Sequence, residues 1–414
     1  MNYQKLTFMF ILFFLALCCS GSAISKESVG KAKLVIGKAM ITSAKGKTVR
    51  LRRGNLIYQG DIIKTSKRGQ TQLIMVDGTS ISVRPDSKFQ IEEFVSTGDV
   101  KKDKTYYKLL NGGFRSVTGE IGKKNKASFR LSTPVATMGI RGTDFTGRYC
   151  NKNCKGSGGK DGLFVDVING GISMSNDGGT FDLDPDTNGH VESASQAPAE
   201  IAELPDNLLS PRAKKTKDKN GKTVVTYPEP DEEVVQIALF VDPGKKKEII
   251  SEAMDSGVSA KKIIRGADTA GFNAKDVVPN VIEKGKEQGK QASDFVKDIL
   301  DSGVGTDSVI EDLMASNPNS ASDILTAAIA TGGVNTNQLK KSAVSLGVSA
   351  EDIESADTVG NLFKIPEEVK EILKETKTDD NNGKGGGGKP SENRGQEIKD
   401  LTPASENGDV VSPS

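Results

Sequence analysis

Near residue 245 the apolar periodicity of this chain changes, and that change constrains the fold more than any single motif does. From Ala32 to about Leu183, short apolar runs alternate with polar residues between glycine turns, the period-two pattern of half-buried strands. From Lys245 onward, apolar pairs recur as Ile249-Ile250, Ile263-Ile264, Val277-Val278, Phe295-Val296, Val309-Ile310 and Ile324-Leu325. Several have another apolar residue four positions on, such as Met254 after Ile250 and Ile282 after Val278, which is helical spacing. A chain of 414 residues has room for two or three domains with separate cores. The expected fold class is therefore multidomain. An N-terminal all-β module over 32–200 is followed by a charged linker over 201–244 and a C-terminal all-α helical repeat region over 245–365. The Asn-, Gly- and Ser-rich tail over 379–414 cannot bury a core and is expected to be disordered.

The helical half carries a recurring joint. Gly257-Val258-Ser259-Ala260 is echoed by Gly271-Phe272-Asn273-Ala274, Gly303-Val304-Gly305-Thr306, Gly333-Val334-Asn335-Thr336 and Gly347-Val348-Ser349-Ala350. Glycine takes the left-handed position that ends a helix, and Val or Phe supplies the apolar contact that accompanies it. Ser or Asn then caps the next helix in four of the five joints. About eight short antiparallel helices follow, each too short to be stable singly, which implies stacking.

In the β half, Leu73 to Val76 and Ile81 to Val83 flank Asp77-Gly78, a strong hairpin signal. Leu109-Leu110-Asn111-Gly112-Gly113-Phe114 recurs as Val167-Ile168-Asn169-Gly170-Gly171-Ile172, each an apolar pair running into an Asn-Gly turn. The echo points to stacked β units, as a short solenoid or a two-sheet sandwich. The most tightly written stretch is Ser132-Thr133-Pro134-Val135-Ala136-Thr137-Met138-Gly139-Ile140-Arg141-Gly142-Thr143-Asp144-Phe145. Pro134 is expected to start a strand through Met138, and Gly139 and Gly142 to mark a bulge or a close backbone approach around Arg141. Arg141 has two readings: solvated or paired with a nearby carboxylate at a turn, or a fixed guanidinium that ties several carbonyls together.

That stretch resembles the closing motif of the FecR domain, T-P-x-A-T-x-G-(I/V)-R-G-T-x-F. Upstream, Arg53-Gly54, then Gly60-Asp61-Ile62-Ile63-Lys64-Thr65, and Val76-Asp77-Gly78-Thr79 match that family's other two signatures in order. The resemblance covers 33–149. It implies a non-catalytic extracytoplasmic β module, and the best-known members relay siderophore signals to a sigma factor across the inner membrane. Those members carry a cytoplasmic domain and a transmembrane helix ahead of the FecR domain. Here a leader is expected instead: Lys5 and the apolar run Leu6 to Leu17, with cleavage after Ala23 giving a 1–23 signal peptide and a mature start at Ile24. The competing address is a lipid anchor on Cys18 or Cys19.

Composition removes most chemistry. A single histidine, His190, and four cysteines, two of them in the leader, leave no triad and no zinc set. With 56 Lys and Arg against 55 Asp and Glu, no net charge points to nucleic acid, and 5% aromatic content disfavours a stacking platform. No small-molecule substrate is evident, and neither an enzymatic activity nor a resident cofactor is expected. Cys150 and Cys154, the only thiols after export, are expected to pair as a disulfide. Asp184, Asp186 and Asn188 stand at positions one, three and five of a calcium-type loop with Gly189 at six and Glu192 at nine. Ser195 replaces the bidentate Glu at twelve, and the competing reading is an Asx and Gly turn. The basic cluster Lys45, Lys47, Arg50, Arg52 and Arg53 either protects strand edges or meets an anionic envelope polymer. The functional expectation is an exported, non-catalytic binding, signalling or scaffold module that contacts an envelope protein or polymer. Direct regulation of an extracytoplasmic sigma factor is the alternative.

Overall fold

The computed structural model describes residues 27–152, 160–205, 214–217 and 223–363. Described residues up to Gly360 fall in one compact unit. Its β region contains β1 (Gly30–Ile36), β2 (Ala39–Thr42), β3 (Thr48–Arg50), β4 (Leu56–Ile57), β5 (Ile62–Thr65) and β6 (Gln70–Met75). Then come β7 (Ser80–Val83), β8 (Lys88–Val95), β9 (Lys104–Val117), β10 (Phe129–Ser132), β11 (Thr137–Ile140) and β12 (Asp144–Cys150). The last of these strands are β13 (Gly162–Asn169), β14 (Ile172–Asn176), β15 (Gly179–Leu183), β16 (Asn188–Val191) and β17 (Ala199–Ile201).

Strand pairing arranges them in two sheets that share β9. Sheet I runs β4-β1-β6-β7-β9-β12-β13-β16-β17 and sheet II runs β3-β2-β5-β8-β9-β10-β11-β14-β15. Within them only β9–β10 is parallel. The alternation seen in sequence sends one face of each strand to a common core. In β8, Phe89, Ile91 and Phe94 are buried while Lys88 is exposed. Phe89, Tyr107, Phe129, Phe145 and Phe114 form a chain of ring contacts through that core, with centroids 5.3–6.2 Å apart. Tilted and edge-on geometries of this kind suit aromatic quadrupoles.

The two copies of the Asn-Gly-Gly echo have different fates. Asn169-Gly170-Gly171 turns between β13 and β14, as its composition implies. Asn111-Gly112-Gly113 makes no turn: it lies inside the 14-residue strand β9, where the chain passes from sheet II to sheet I. Gly112 sits at φ 83° there, and a Cβ on it would meet Ser87 Oγ at 2.2 Å and the Asp86 carbonyl at 2.5 Å. The echo therefore marks one hairpin and one strand crossover rather than two stacked turns.

Downstream, the strands Lys214–Lys217 (β18) and Thr223–Thr226 (β19) pair as a separate hairpin. The α-helices are α1 (Glu120–Lys124), inside the β region, and then α2 (Pro230–Val241), α3 (Lys246–Asp255), α4 (Ala260–Thr269) and α5 (Ala274–Glu287). After these come α6 (Val296–Asp301), α7 (Asp307–Ser316), α8 (Ala321–Thr331), α9 (Thr336–Ser345) and α10 (Ala350–Phe363). The glycines at all five joints adopt positive φ, from 73° to 93°. At Gly257 the closing hydrogen bonds run from Gly257 N to Met254 O and from Val258 N to Ala253 O, and the pattern repeats at Gly271 and Gly347. Ser259, Asn273, Asn335 and Ser349 each accept a backbone N–H in the first turn that follows.

Two expectations change at this level. The stretch read as a linker to residue 244 contains α2, whose residues from Asp231 to Leu239 are buried. The helical core also recruits Leu34 and Ile36 of β1, so helices and sheet share packing instead of forming separable modules. The physical reason is a β-bulge between Ala32 and Leu34. It lets β1 give Ala32 to the sheet core and Leu34 and Ile36 to the helices.

Candidate functional site

Sheet I turns a polar outer face toward α2. Register places Gln72, Ser82, Arg115, Thr146, Asp166 and Asn188 side by side on successive strands of that face. Arg84 follows β7 on the same side, one row along. Arg84, Arg115 and Glu233 side chains are only 1%, 3% and 1% exposed, and they form one connected ionic cluster. Arg84 donates from Nε (3.1 Å) and Nη2 (2.7 Å) to Glu233 Oε1. Arg115 donates from Nη1 to Glu233 Oε2 (2.7 Å) and to the Pro228 carbonyl (2.6 Å). Its Nε and Nη2 grip Asp144 in a two-point fork at 2.9 and 2.7 Å. Burial opposes the charge on Arg115, but the hydrogen bonds and charges of Asp144 and Glu233 outweigh it and hold the guanidinium above its ordinary value.

The acidic first turn of α2 makes this arrangement possible. Pro230 opens the helix at a position where its missing N–H costs nothing, and Asp231, Glu232 and Glu233 follow where the helix dipole favours negative charge. Each carboxylate takes different cations. Asp231 meets Lys33 at 3.4 Å and Lys262 at 3.1 Å. Burial pushes its carboxyl up, but these two lysines bring it below the usual range. Glu232 faces Arg265 at 3.5 Å, and burial raises its carboxyl. Further along, Gln70 donates to the Val234 carbonyl and the Gly37 amide donates to Glu252 of α3. Helix and sheet are thus joined by charge-assisted bonds over a polar face, which apolar packing alone would leave unsatisfied.

Beside this cluster lies Asp166, buried on β13. Burial pushes its carboxyl up to about 6, with Asp186 and Asp144 adding to the rise while Arg84 and Arg115 oppose it. Tyr227, half-buried next to it, is raised to about 12 by burial and by the neighbouring Asp166 and Asp186 charges.

The residues singled out in sequence fall elsewhere. Arg141 is 40% exposed and bonds from Nη2 to Asp184 (2.7 Å) and to the Leu183 carbonyl (3.1 Å). That is the paired-at-a-turn reading, and the buried organising guanidiniums are Arg84 and Arg115 instead. Gly142 makes the turn at φ 81°, whereas Gly139 lies in regular strand β11, where an added Cβ would meet nothing within 4 Å. Pro134 lies in the β10–β11 turn ahead of the strand, where Thr133 Oγ1 donates to the Ala136 carbonyl. Thr143 is the knot of the motif: its Oγ1 bonds the Gly171 carbonyl at 2.6 Å and accepts from the Arg141 amide. Phe145 is fully buried among the core rings. Asp77 and Gly78 form the β6–β7 hairpin, with Asp77 accepting from Thr79 N and Oγ1. Gly60 takes φ 85° and Asp61 accepts the Tyr58 amide.

The residues expected to hold calcium, Asp184, Asp186, Asn188 and Glu192, span the β15–β16 turn and the end of β16. Asp184 is engaged by Arg141, Asp186 sits at φ 61° in the turn, and Asn188 enters β16. Among the described residues no group of three or more His, Cys, Asp or Glu side chains is placed to hold a metal ion. Cys150 is buried at the end of β12, while Cys154, its expected partner, lies outside the described residues, as do the leader and the tail. Lys45, Lys47, Arg50, Arg52 and Arg53 are all exposed along the β2–β3 hairpin and the turn after it. Among the described residues no helix is long and apolar enough to cross a membrane.

Glu233 went unread because a charged, proline-punctuated run looks like a linker, and Arg84 and Arg115 because a lone arginine in or beside a strand looks like a solvated charge. The usable signal was Pro230 followed by three acids and then an apolar run, the pattern of a helix start.

Residues 61–173 match the family model described as FecR protein. No curated protein matches the chain. Two crystal structures of a candidate anti-sigma factor from Parabacteroides distasonis ATCC 8503 are similar. One is 15% identical, covers 36% of this chain and 62% of that chain, and has a TM-score of 0.28. The other is 14% identical over 39% of this chain and 70% of that chain, with a TM-score of 0.29. A cell surface anchoring domain is 26% identical over 15% of this chain and 82% of its own length, with a TM-score of 0.15.

Proposed function

Residues 61–173 are a FecR domain, and from that premise we propose that the chain is an exported regulatory module. In this reading it works through a protein partner in the envelope and performs no chemistry of its own. The observation that carries the proposal is the shared carboxylate of Glu233. Arg84 and Arg115 both lie within the FecR domain, and both close on one residue of the first downstream helix. A partner bound at either half is therefore coupled mechanically to the other, which is what a relay of binding events requires. We read the helices after Lys245 as stacked repeats joined at their glycine joints, an extended surface suited to protein contact. The second reading, direct regulation of an extracytoplasmic sigma factor, is favoured by the family match alone.

The test is crosslinking in intact cells from a photoreactive residue placed at exposed Val344 of α9, followed by identification of the captured protein. An envelope protein captured by wild type, and lost when Glu233→Ala uncouples the halves, supports the relay. Capture of a sigma factor selects the second reading. Capture that is indifferent to Glu233→Ala overturns the coupling.

A further inference from the structure

We infer that the open face of sheet II binds an anionic polysaccharide. The two sheets differ in what covers them: α2 lies on the outer face of sheet I, while the outward residues of sheet II remain exposed or half-exposed. Strand alternation sends Ile63, Phe89 and Leu109 into the core, so Lys64, Lys88 and Lys108 must point outward. Lys64 is directly opposite Lys88, and Lys108 stands on the next strand, opposite Gln90. Lys64 and Lys88 stand about 4.8 Å apart on adjacent strands, and Lys108 lies diagonally from them, one row along in the row of Gln90 and Ile62.

Two observations point to a ligand. First, like charges directly opposite on neighbouring strands are destabilising, and the Lys64–Lys88 pair is of that kind. None of the three lysines has an ion-pair partner among the described residues. Elsewhere on the same face Lys104 is neutralised by Glu93 at 3.0 Å and Arg130 by Glu92 at 3.5 Å, while exposed Arg50 of β3, in the row of Lys64 and Lys88, has no ion-pair partner among the described residues. The fold thus compensates charge at one end of the face and leaves it free at the other. Second, the row through Lys108 continues as Ser132, Thr137, Ser175 and Thr180 on the one side and as Gln90, Ile62 and Thr42 on the other. Hydroxyls and one amide flank Lys108, and Gly139, which has no side chain, keeps the face low beside Thr137.

A flat, hydroxyl-rich track with spaced ammonium groups matches a sugar chain bearing carboxylates. Its hydroxyls find donors and acceptors, and its acid groups find the lysines. A protein partner would call for a contiguous apolar centre, whereas the apolar side chains here, Met40, Ile62 and Tyr106, are half-exposed and separated by polar residues. The inference deepens the envelope reading by naming a polymer class. Binding of purified components reads the face alone, so its failure leaves the partner capture described above untouched.

The test uses the purified full chain and immobilised polygalacturonate, with neutral dextran and poly-L-glutamate as comparators. Polygalacturonate should be retained at low salt and released as salt rises, and dextran should not be retained. Lys64→Glu/Lys88→Glu/Lys108→Glu should weaken retention about tenfold or more, from the summed loss of three surface charge contacts. Lys64→Gln/Lys88→Gln/Lys108→Gln, which adds no repulsion, should also weaken it. Reversal of exposed Lys123 and Lys126, near α1, should leave it unchanged. The inference is overturned if polygalacturonate is not retained, if both triple variants bind as wild type does, or if poly-L-glutamate binds as tightly as polygalacturonate. The last result would make the face a site for acidic proteins.

Discussion

Replacing Glu233 by alanine should remove the joint between sheet and helix. The wild-type carboxylate accepts three hydrogen bonds, two from Arg84 and one from Arg115. All three side chains are at most 3% exposed, so water does not replace the lost partner at once. Arg115 keeps Asp144 and the Pro228 carbonyl, but among the described residues Arg84 has no other carboxylate within ion-pairing distance. Stranding a buried charge in this way costs about 3–5 kcal/mol. At roughly 2 °C per kcal/mol for a chain of this size, the melting temperature should fall by about 6 °C or more. Urea denaturation and thermal melts of the full chain measure this directly. Limited proteolysis should cut faster in the segment before α2, because Glu233 no longer holds the first turn of α2 on Arg84 and Arg115. A loss below about 1 kcal/mol would refute the argument, since it would mean that Arg84 is hydrated or paired without Glu233. A companion variant separates charge from packing. Arg84→Met/Arg115→Met/Glu233→Leu removes the whole group, and replacing a complete buried ionic set by apolar residues is often neutral or stabilising. It should recover much of the stability that Glu233→Ala loses.

Four other outcomes follow from the same geometry. Asp166 has a folded value raised to about 6, so its charged form is disfavoured in the native state: native stability is favoured below its unfolded value and declines as pH rises through 6. Asp166→Asn should therefore gain on wild type by about 2–3 kcal/mol at pH 8 and by much less at pH 4.5, read from urea midpoints. Arg141→Ala should cost no more than about 1 kcal/mol, because its pair with Asp184 is exposed; a larger loss in melting experiments would restore the organising role. Gly170→Ala should destabilise by about 1–3 kcal/mol, since φ is 78° and the new methyl would meet the Gly142 carbonyl at 2.3 Å, whereas Gly139→Ala should be close to neutral. Phe145→Ala should cost about 3–5 kcal/mol by opening a void between the Phe114 and Phe129 rings, and a smaller loss would show that the core collapses around it.

Local rules carried much of this molecule. Asp77-Gly78 had to turn, because a buried carboxylate that accepts from the next residues but one can do so without tertiary help. The glycine joints of the helical half are equally local: a positive φ, two closing hydrogen bonds and a cap on the next helix are written within a few residues of each other. The change of period likewise told sheet from helix, although the first long helix, α2, already begins ahead of it at Pro230. The basic face of sheet II was legible only in part. Alternation shows that Lys64, Lys88 and Lys108 point outward, but not that they become neighbours, because register between strands distant in sequence is a property of the folded sheet.

Other outcomes were decided only by long-range packing. Leu-Leu-Asn-Gly-Gly and Val-Ile-Asn-Gly-Gly are nearly the same local instruction, yet one is a crossover inside a strand and the other a turn. The difference lies in the neighbours: Ser87 and Asp86 crowd Gly112, and Gly142 crowds Gly170. The ionic joint is the extreme case. Arg84, Arg115 and Glu233 are separated by up to 149 residues, and each alone looks like an ordinary surface charge. Only when α2 covers the polar face of sheet I does the low dielectric between them turn three solvated groups into one buried cluster.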